Sequence, residues 1–220
     1  MIAPGIHQMT MTEYLALKAL SSGLVHTLLS QSAFHAKAQQ DDPQDEPSAV
    51  SEIGTAIHDV LLEGRQRIAE VPFDDWRTKE AKAQRDLARS EGRLPVLHHK
   101  VPQIEAAVAA ARAFIATSEL NGVFESGKPE QTLIWQEGAL LCKARPDWLT
   151  ADQSILLHVK TTAGSAQPES WIRNQLSASG YDVAWAFYER GLYAATDGSG
   201  KDAPLSVFLV IEQNPPYGCS

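Results

Sequence analysis

The stretch that decides the fold reads Arg145-Pro146-Asp147-Trp148 and, beyond a short polar turn, His158-Val159-Lys160-Thr161. Both segments are rich in strand-forming residues, and so short a turn predicts an antiparallel pair of strands. Side chains alternate along a strand, so His158 and Lys160 project to one face while Val159 points to the other. We therefore expect a carboxylate, an imidazole and an ammonium group to converge on one face of a sheet.

Such a group of side chains could bind a divalent metal ion and act on a phosphate. A carboxylate such as Asp147 can hold a divalent ion, and a lysine such as Lys160 beside the ion can orient water or stabilise negative charge on a phosphate. Taken alone, however, a Pro-Asp pair is more often a turn and a lysine in a strand is more often solvated. The motif by itself leaves both interpretations open.

The chain around the motif predicts a sheet in its second half. Residues 131–136, 140–149 and 155–161 have strand composition and are separated by short turns, which indicates an antiparallel meander. Residues 168–192 follow as a helix, and residues 205–211 form an apolar run typical of a strand buried on both faces. This order places helices against a sheet.

The first half is mainly helical. Apolar residues recur at spacings of three and four in residues 12–38, with a break at residues 21–23 where a serine could cap a second helix. Residues 51–63 and 101–118 have the same periodicity, and the acidic, proline-containing residues 41–47 predict a solvated loop. We expect one domain over residues 1–220, with a helical part (1–128) and a sheet core (129–220).

Composition excludes several classes of protein. The chain has 220 residues, 44% of them hydrophobic, and a formal charge of 19 − 27 = −8, which excludes a disordered chain. No apolar stretch is long enough for a membrane span, and the amino terminus lacks a secretion signal. Only Cys142 and Cys219 are present, so a disulfide framework is excluded and a reducing, cytoplasmic location is expected.

One segment departs from this acidic balance. Residues 77–100 carry a local charge of 7 − 3 = +4. The candidate phosphate-binding cations are Arg77, Lys79, Lys82, Arg85, Arg89 and Arg93. They fit either an ordinary solvated helix or a groove that binds nucleic acid through phosphates. The nearby His98-His99 pair has no matching ligand pair at metal-site spacing.

The chain resembles the PD-(D/E)xK nuclease superfamily, and most closely the exodeoxyribonuclease VIII type of phage and prophage recombination systems. The similar segments occur in the expected order along nearly the whole chain: 21–24, 31–35, 54–58, 77–81, 91–93, 129–130, 142–148, 160–162, 180–181 and 215–217. The resemblance implies a restriction-endonuclease-like α/β fold, with a central mixed sheet flanked by helices and a helical amino-terminal region.

The resemblance also assigns roles to residues. It implies that His58 is a metal ligand on a helix, that Asp147 is the central metal-binding carboxylate and that Lys160 is the catalytic lysine. Glu130 is a further candidate acidic ligand, and the carbonyl of Val159 can also reach the ion. For His58 the alternative is a helix histidine that faces its own core. The implied cofactor is Mg²⁺ or Mn²⁺.

Two positions depart from the family pattern. His158 stands where relatives carry Asp or Glu two residues before the lysine, and Ala184 stands where relatives tend to carry Gln. An imidazole can bind a divalent ion, but magnesium prefers oxygen ligands. We therefore treat His158 as an uncertain ligand and expect weak magnesium binding, with manganese tolerated better or activity reduced.

The predicted function is metal-dependent hydrolysis of DNA phosphodiesters at duplex ends, as an exonuclease in phage-type recombination. The alternative is a catalytically decayed DNA-binding or scaffold protein of a recombination complex. The resemblance further implies duplex DNA ends as the partner, a ring-shaped homo-oligomer and a single-strand annealing protein, with no membrane. The chain stops soon after its last strand, so a truncated carboxyl terminus is also expected.

Overall fold

The computed structural model describes residues 2–41, 51–196, 198 and 204–220. Residues 42–47 of the predicted acidic loop lie outside this range. The helices are α1 (Met11–Ala16), α2 (Ser22–Ser30), α3 (Ala33–Asp41), α4 (Ser51–Glu63), α5 (Lys79–Ser90), α6 (Val101–Thr117), α7 (Pro168–Trp171) and α8 (Tyr181–Ala195). The strands are β1 (Gly5–His7), β2 (Ile68–Val71), β3 (Leu94–Leu97), β4 (Lys128–Pro129), β5 (Thr132–Glu137), β6 (Leu140–Ala144), β7 (Trp148–Leu149), β8 (Ile155–Thr162) and β9 (Leu205–Glu212).

Helices α4 and α6 begin and end almost where periodicity predicts. In α4, Ile57, Val60 and Leu61 are buried at helical spacing, and in α6 Ile104 and Val108 are buried in the same way. The two helices pack on each other. An apolar stripe that finds a partner of the same kind is the case in which sequence periodicity is most reliable.

The amino-terminal helical region is divided by capping residues. Thr10 and Glu13 form a reciprocal capping box at the start of α1. Ser21 caps α2, where its hydroxyl accepts a hydrogen bond from the Leu24 N–H at 3.4 Å. The predicted break at residues 21–23 is therefore confirmed, and a further break separates α2 from α3.

The predicted meander is wrong in its connectivity. Residues 140–149 form two strands, β6 and β7, because the intervening Pro146 has no N–H to give to a ladder. Strand β6 pairs with β5 in the sheet β1-β5-β6, whereas β7 pairs with β8 in the sheet β4-β7-β8-β9. A third sheet joins β2 and β3 in parallel.

The sheet that carries the motif is mixed, as predicted. Strand β8 runs antiparallel to β7. Strand β9 runs parallel to β8, because the Leu205 N–H donates to the Ser154 carbonyl and the Gln213 N–H donates to the Thr162 carbonyl, both at 2.8 Å. Helices α7 and α8 form the crossover between these parallel strands.

The helix predicted at residues 168–192 is also interrupted. After α7 comes a π-helical turn over Ile172–Leu176, and α8 begins only after Gly180. Gly180 has φ +68°, and a Cβ there would lie 2.6 Å from the His26 ring. Both the backbone conformation and the close approach of the ring require glycine.

Contacts divide the chain into two compact units. The first comprises Met1–Glu46, Val123–His158 and Glu169–Val207, and the second comprises Pro47–Gly122, Val159–Pro168 and Phe208–Ser220. Among the helices that the structure describes, none has the length and apolar composition that a bilayer crossing needs.

Each unit has its own buried residues. The core of the first unit contains Leu133, Trp135, Cys142, Ala144, Leu149, Leu156 and Leu192. A Cβ on Gly191 would lie 2.6 Å from the Trp135 ring, so helix α8 can approach β5 this closely only with glycine there. In the second unit α4 and α6 pack together, and α5 packs on β2 and β3.

Candidate functional site

Two carboxylates lie side by side in the first unit. Strand β4 pairs with β7 so that Pro129 is opposite Trp148, and the next residues, Glu130 and Asp147, continue this pairing. The Glu130 N–H donates to the Asp147 carbonyl at 3.1 Å. A side-chain oxygen of Glu130 and one of Asp147 lie within 4.8 Å of each other. We call these two side chains the acidic pair.

The residue after Asp147 anchors this position. Trp148 is buried, its indole N–H donates to the Val123 carbonyl at 3.0 Å, and its ring lies edge-on to Phe124 with 5.0 Å between centroids. Leu149 is buried beside it. Because Trp148 and Leu149 hold β7 in the core, the backbone at Asp147 is fixed at the point where the strand begins.

Arg145 holds Glu130 in place. Its guanidinium forms an ion pair with Glu130 and also donates to the Met9 carbonyl at 2.8 Å and to the Thr132 hydroxyl at 3.2 Å. The Arg145 side chain is only 10% exposed and that of Glu130 is 18% exposed. This cation lowers the net negative charge of the acidic pair. It also fixes the rotamer of Glu130, since three acceptors hold the guanidinium.

The acidic pair fits a hard divalent ion. Carboxylate oxygens are the ligands that Mg²⁺ and Mn²⁺ prefer, and two carboxylates at this separation can share one ion. One oxygen of Glu130 already accepts a hydrogen bond from the Arg145 guanidinium.

His158 lies next to Asp147 in the sheet. Trp148 is opposite Leu157 in the pairing of β7 with β8, and continuing this register by one residue places Asp147 opposite His158. His158 is 2% exposed, and its ring lies against Tyr188 with 5.1 Å between centroids. The imidazole therefore packs on an aromatic ring at the position where an acid was expected.

The second unit carries the lysine and the helix histidine. Val159 is buried and Lys160 is half-buried on β8. His58 is half-buried on α4, with its Nδ1 at 3.2 Å from a carboxylate oxygen of Asp59.

A close contact joins α4 to β8 within this unit. A Cβ on Gly54 would lie 2.4 Å from the Thr161 hydroxyl oxygen, so glycine is required there. The amide of Gln213 donates to the same hydroxyl at 3.0 Å, and Gln103 donates to the Gln213 carbonyl at 2.7 Å. The contact fixes the strand immediately after Lys160, one helical turn before His58.

The predicted phosphate-binding cations fall into two groups on and beside α5. Those with an acidic partner are Arg77 with Asp75, Arg85 with Asp86 and Arg93 with Glu91. The others, Lys79, Lys82 and Arg89, are exposed and form no ion pair within the described residues. We call these three residues the α5 cations.

Helix α5 presents them as one face. Thr78 caps the helix through the Ala81 N–H at 3.1 Å, and Ala81 and Ala88 are buried. Positions 79, 82 and 89 are separated by three and seven residues, which places them on a common side of the helix, away from the buried alanines. A face of this kind can bind phosphates without reading sequence.

Sequence reasoning missed the support that surrounds these residues. Arg145 was recognised as part of the motif but was given no role, and Thr161 and Gln213 were not singled out. The signal for Arg145 was available, since an arginine two residues before a metal-binding aspartate invites an ion pair with a neighbouring acid.

Comparisons with known proteins identify the family and the fold of the chain. The model of a family described as "PDDEXK-like domain of unknown function (DUF3799)" matches residues 18–217. Among solved structures, a crystal structure of a "Putative exonuclease" from Eubacterium rectale aligns with a TM-score of 0.56 and 12% identity, over 97% of this chain and 77% of that one. A search of curated proteins finds no match. The predicted superfamily and the restriction-endonuclease-like fold are confirmed.

Proposed function

The chain belongs to the PDDEXK-like domain family of unknown function, and from this premise we propose that it is a divalent-metal-dependent nuclease that digests duplex DNA from its ends. The observation that supports the proposal most strongly is the acidic pair, two carboxylates within 4.8 Å of each other at the Pro-Asp motif. The solved structure named as an exonuclease has the same fold, and it is the source of the end-directed part of the proposal.

In this proposal the residues have distinct tasks. Asp147 and Glu130 supply carboxylate oxygens to the ion, and His58 and the Val159 carbonyl supply further ligands. Lys160 holds the attacking water or donates to a phosphate oxygen. When bound, the ion acidifies water and neutralises charge that develops on the phosphate.

The ligand chemistry predicts a preference for manganese. His158 replaces an acid, and Arg145 already occupies one oxygen of Glu130. Fewer available carboxylate oxygens weaken binding of Mg²⁺ more than binding of Mn²⁺, which accepts nitrogen ligands more readily. The chain should therefore be more active with manganese.

The α5 cations provide a proposed contact with the DNA backbone. Each phosphate that a lysine or arginine neutralises releases counterions, so binding should weaken as salt rises. Duplex DNA ends are the proposed partner, and a ring-shaped assembly and an annealing protein stay predictions.

Digestion of linear and covalently closed circular duplexes tests the activity. We expect the wild-type chain to digest only the linear form, faster with Mn²⁺ than with Mg²⁺. Asp147→Ala should lower the rate at least ~1000-fold, because the principal ligand is lost. The matched control is Glu125→Gln, which removes an exposed carboxylate of the first unit and should change nothing. If Asp147→Ala digests DNA as fast as wild type, the proposal is wrong.

His158→Asp separates an impaired nuclease from a DNA-binding scaffold. An impaired nuclease should gain magnesium-dependent activity of about tenfold or more, since an oxygen ligand is restored. A scaffold would show no digestion in any form and DNA binding that survives Asp147→Ala. The buried imidazole packed on Tyr188 is the observation that favours the scaffold as second candidate.

A salt series tests the DNA interaction separately from catalysis. Lys79→Gln/Lys82→Gln should weaken binding and lower the salt slope by about two, because each of the two lysines neutralises one phosphate. The matched control, Lys18→Gln/Arg173→Gln, removes two exposed cations of the first unit and should leave the slope unchanged. Equal slopes for both double variants would exclude α5 as the DNA-binding element.

A further inference from the structure

We propose that the second unit carries a separate transition-metal site, formed by Asp74, His98 and His99, which takes an ion of the Zn²⁺ class. One ligand atom from each of the three residues lies within 4.8 Å of the others. The inference does not rest on the proposed nuclease function, because it uses other residues and other ligand chemistry. We call these three side chains the histidine group.

The parallel pairing of β2 and β3 brings the histidine group together. Val71 is opposite Leu97 in the last pair of this two-stranded sheet. Both strands therefore end at the same edge, where Asp74 lies in the loop after β2 and His98 follows β3 directly. Sequence spacing missed the group, since the ligands are far apart along the chain and no periodic pattern revealed these short strands.

The interatomic distances suit a small tetrahedral ion. Nε2 of His98 and Oδ1 of Asp74 are hydrogen-bonded to each other at 3.2 Å, a pairing that an ion would replace. Two ligands bonded to zinc at roughly 2.0–2.1 Å in tetrahedral geometry are about 3.3 Å apart, close to this separation. The His98 and His99 rings are edge-to-face with 5.8 Å between centroids, so they do not stack and block each other.

Two basic side chains close to the group in sequence have acidic partners of their own. Arg77 pairs with Asp75, the neighbour of Asp74, and Lys100 pairs with Glu52 at 3.8 Å. The Asp74 side chain is 92% exposed and that of His98 is 42% exposed. The site is therefore open to ions from solution.

The donor set selects the class of metal. Two imidazoles and one carboxylate suit Zn²⁺, Co²⁺ and related ions, whereas Mg²⁺ and Ca²⁺ require oxygen ligands. Three protein ligands leave at least one position for water or another donor. The group thus differs in metal preference from the acidic pair.

Titration with Co²⁺, followed by visible absorption, tests the proposal. We expect the wild-type chain to develop the intense absorption of four-coordinate cobalt at one equivalent, and Zn²⁺ to displace it. His98→Ala/His99→Ala should abolish this band or weaken binding at least about tenfold. The matched control His7→Ala/His35→Ala removes two histidines of the first unit and should bind cobalt as wild type does.

Two further outcomes keep the site distinct from the acidic pair. The cobalt band should persist in Asp147→Ala, because that residue belongs to the other set of ligands. A wild-type chain without the band would overturn the proposal. So would a band that His98→Ala/His99→Ala leaves unchanged, or one that is lost in Asp147→Ala alone.

Discussion

The acidic pair and the histidine group are the two proposed sets of metal ligands on this chain, and they are held in opposite ways. Glu130 is 18% exposed and is fixed by strand pairing and an ion pair with Arg145. Asp74 is 92% exposed and lies in a loop beyond a strand. Carboxylates held in fixed positions by the fold suit a hard ion such as Mg²⁺ or Mn²⁺. Exposed imidazoles suit a transition-metal ion, because their side chains can move to fit the geometry that the ion prefers.

This difference predicts which mutations affect folding as well as binding. Residues that support the acidic pair are part of the core, so their loss should destabilise the first unit. Residues of the histidine group lie exposed at the surface, so their loss should affect metal binding alone.

The largest effect is expected for Arg145→Ala. The variant leaves Glu130 nearly buried without its cation and should lower the free energy of unfolding by about 3 kcal/mol. Urea unfolding measures this change. The matched control is Arg190→Ala, whose side chain is 67% exposed in its ion pair with Glu137, and this variant should lose far less stability than Arg145→Ala because solvent screens the pair. If Arg145→Ala and Arg190→Ala lose the same unfolding free energy, Arg145 does not stabilise the fold through Glu130.

A smaller decrease in the free energy of unfolding is expected for Gly54→Ala. The new Cβ would lie 2.4 Å from the Thr161 hydroxyl, and the shift that relieves this overlap should cost about 1–3 kcal/mol. Gly23→Ala is the matched control, since the nearest atom to its Cβ would be 4.0 Å away, and it should stabilise helix α2 slightly. Thermal unfolding of both variants compares them, and a stabilised Gly54→Ala would contradict the close contact.

For the histidine group we expect almost no effect on folding. Without added metal, His98→Ala/His99→Ala should unfold within about 0.5 kcal/mol of wild type, because both side chains are exposed. Urea unfolding in the presence of a chelator measures this. If this variant loses as much unfolding free energy as Arg145→Ala does, the histidine group contributes to the stability of the fold as much as the support of the acidic pair does.

The smallest effect concerns the turn between β7 and β8, which sets the register of Asp147. Hydrogen bonds from the Thr150 hydroxyl, and then from Ser154, lower the pKa of Asp152 from 3.8 to about 2. Since the folded pKa is below the unfolded value, the stabilisation is present above pH 4 and is lost as the pH falls towards 2. Asp152→Asn should therefore be less stable than wild type at about pH 5, and the difference should disappear only below the folded pKa of about 2. A difference that persists at the lower pH would contradict this assignment.

Helices with a continuous apolar stripe were predictable from sequence, and short strands were not. Helix α4 has the predicted bounds because its buried side chains recur at helical spacing. Strand β4 has only the residues Lys128–Pro129, too few for a period of two to be recognised, yet it positions Glu130.

The interruptions within longer elements have local causes. Pro146 ends β6, and Gly180, with its positive φ, separates α8 from the helix before it. Proline and glycine are known to interrupt strands and helices, but the composition of the surrounding residues favoured one continuous element in each case.

The candidate site could be predicted from the sequence only in part. Asp147 and Lys160 followed from the motif and the family resemblance, whereas the role of Arg145 depends on contacts with Met9 and Thr132 that are distant in sequence. The histidine group depends on strand pairing, which no local pattern encodes.

Manganese binding to the acidic pair tests the central claim most directly. Electron paramagnetic resonance of free Mn²⁺ measures how much ion the protein takes up in the absence of DNA. We predict that wild type binds at least one equivalent more than Glu130→Gln/Asp147→Asn, and that His98→Ala/His99→Ala retains that equivalent. Equal uptake by wild type and the Glu130→Gln/Asp147→Asn variant would contradict the account.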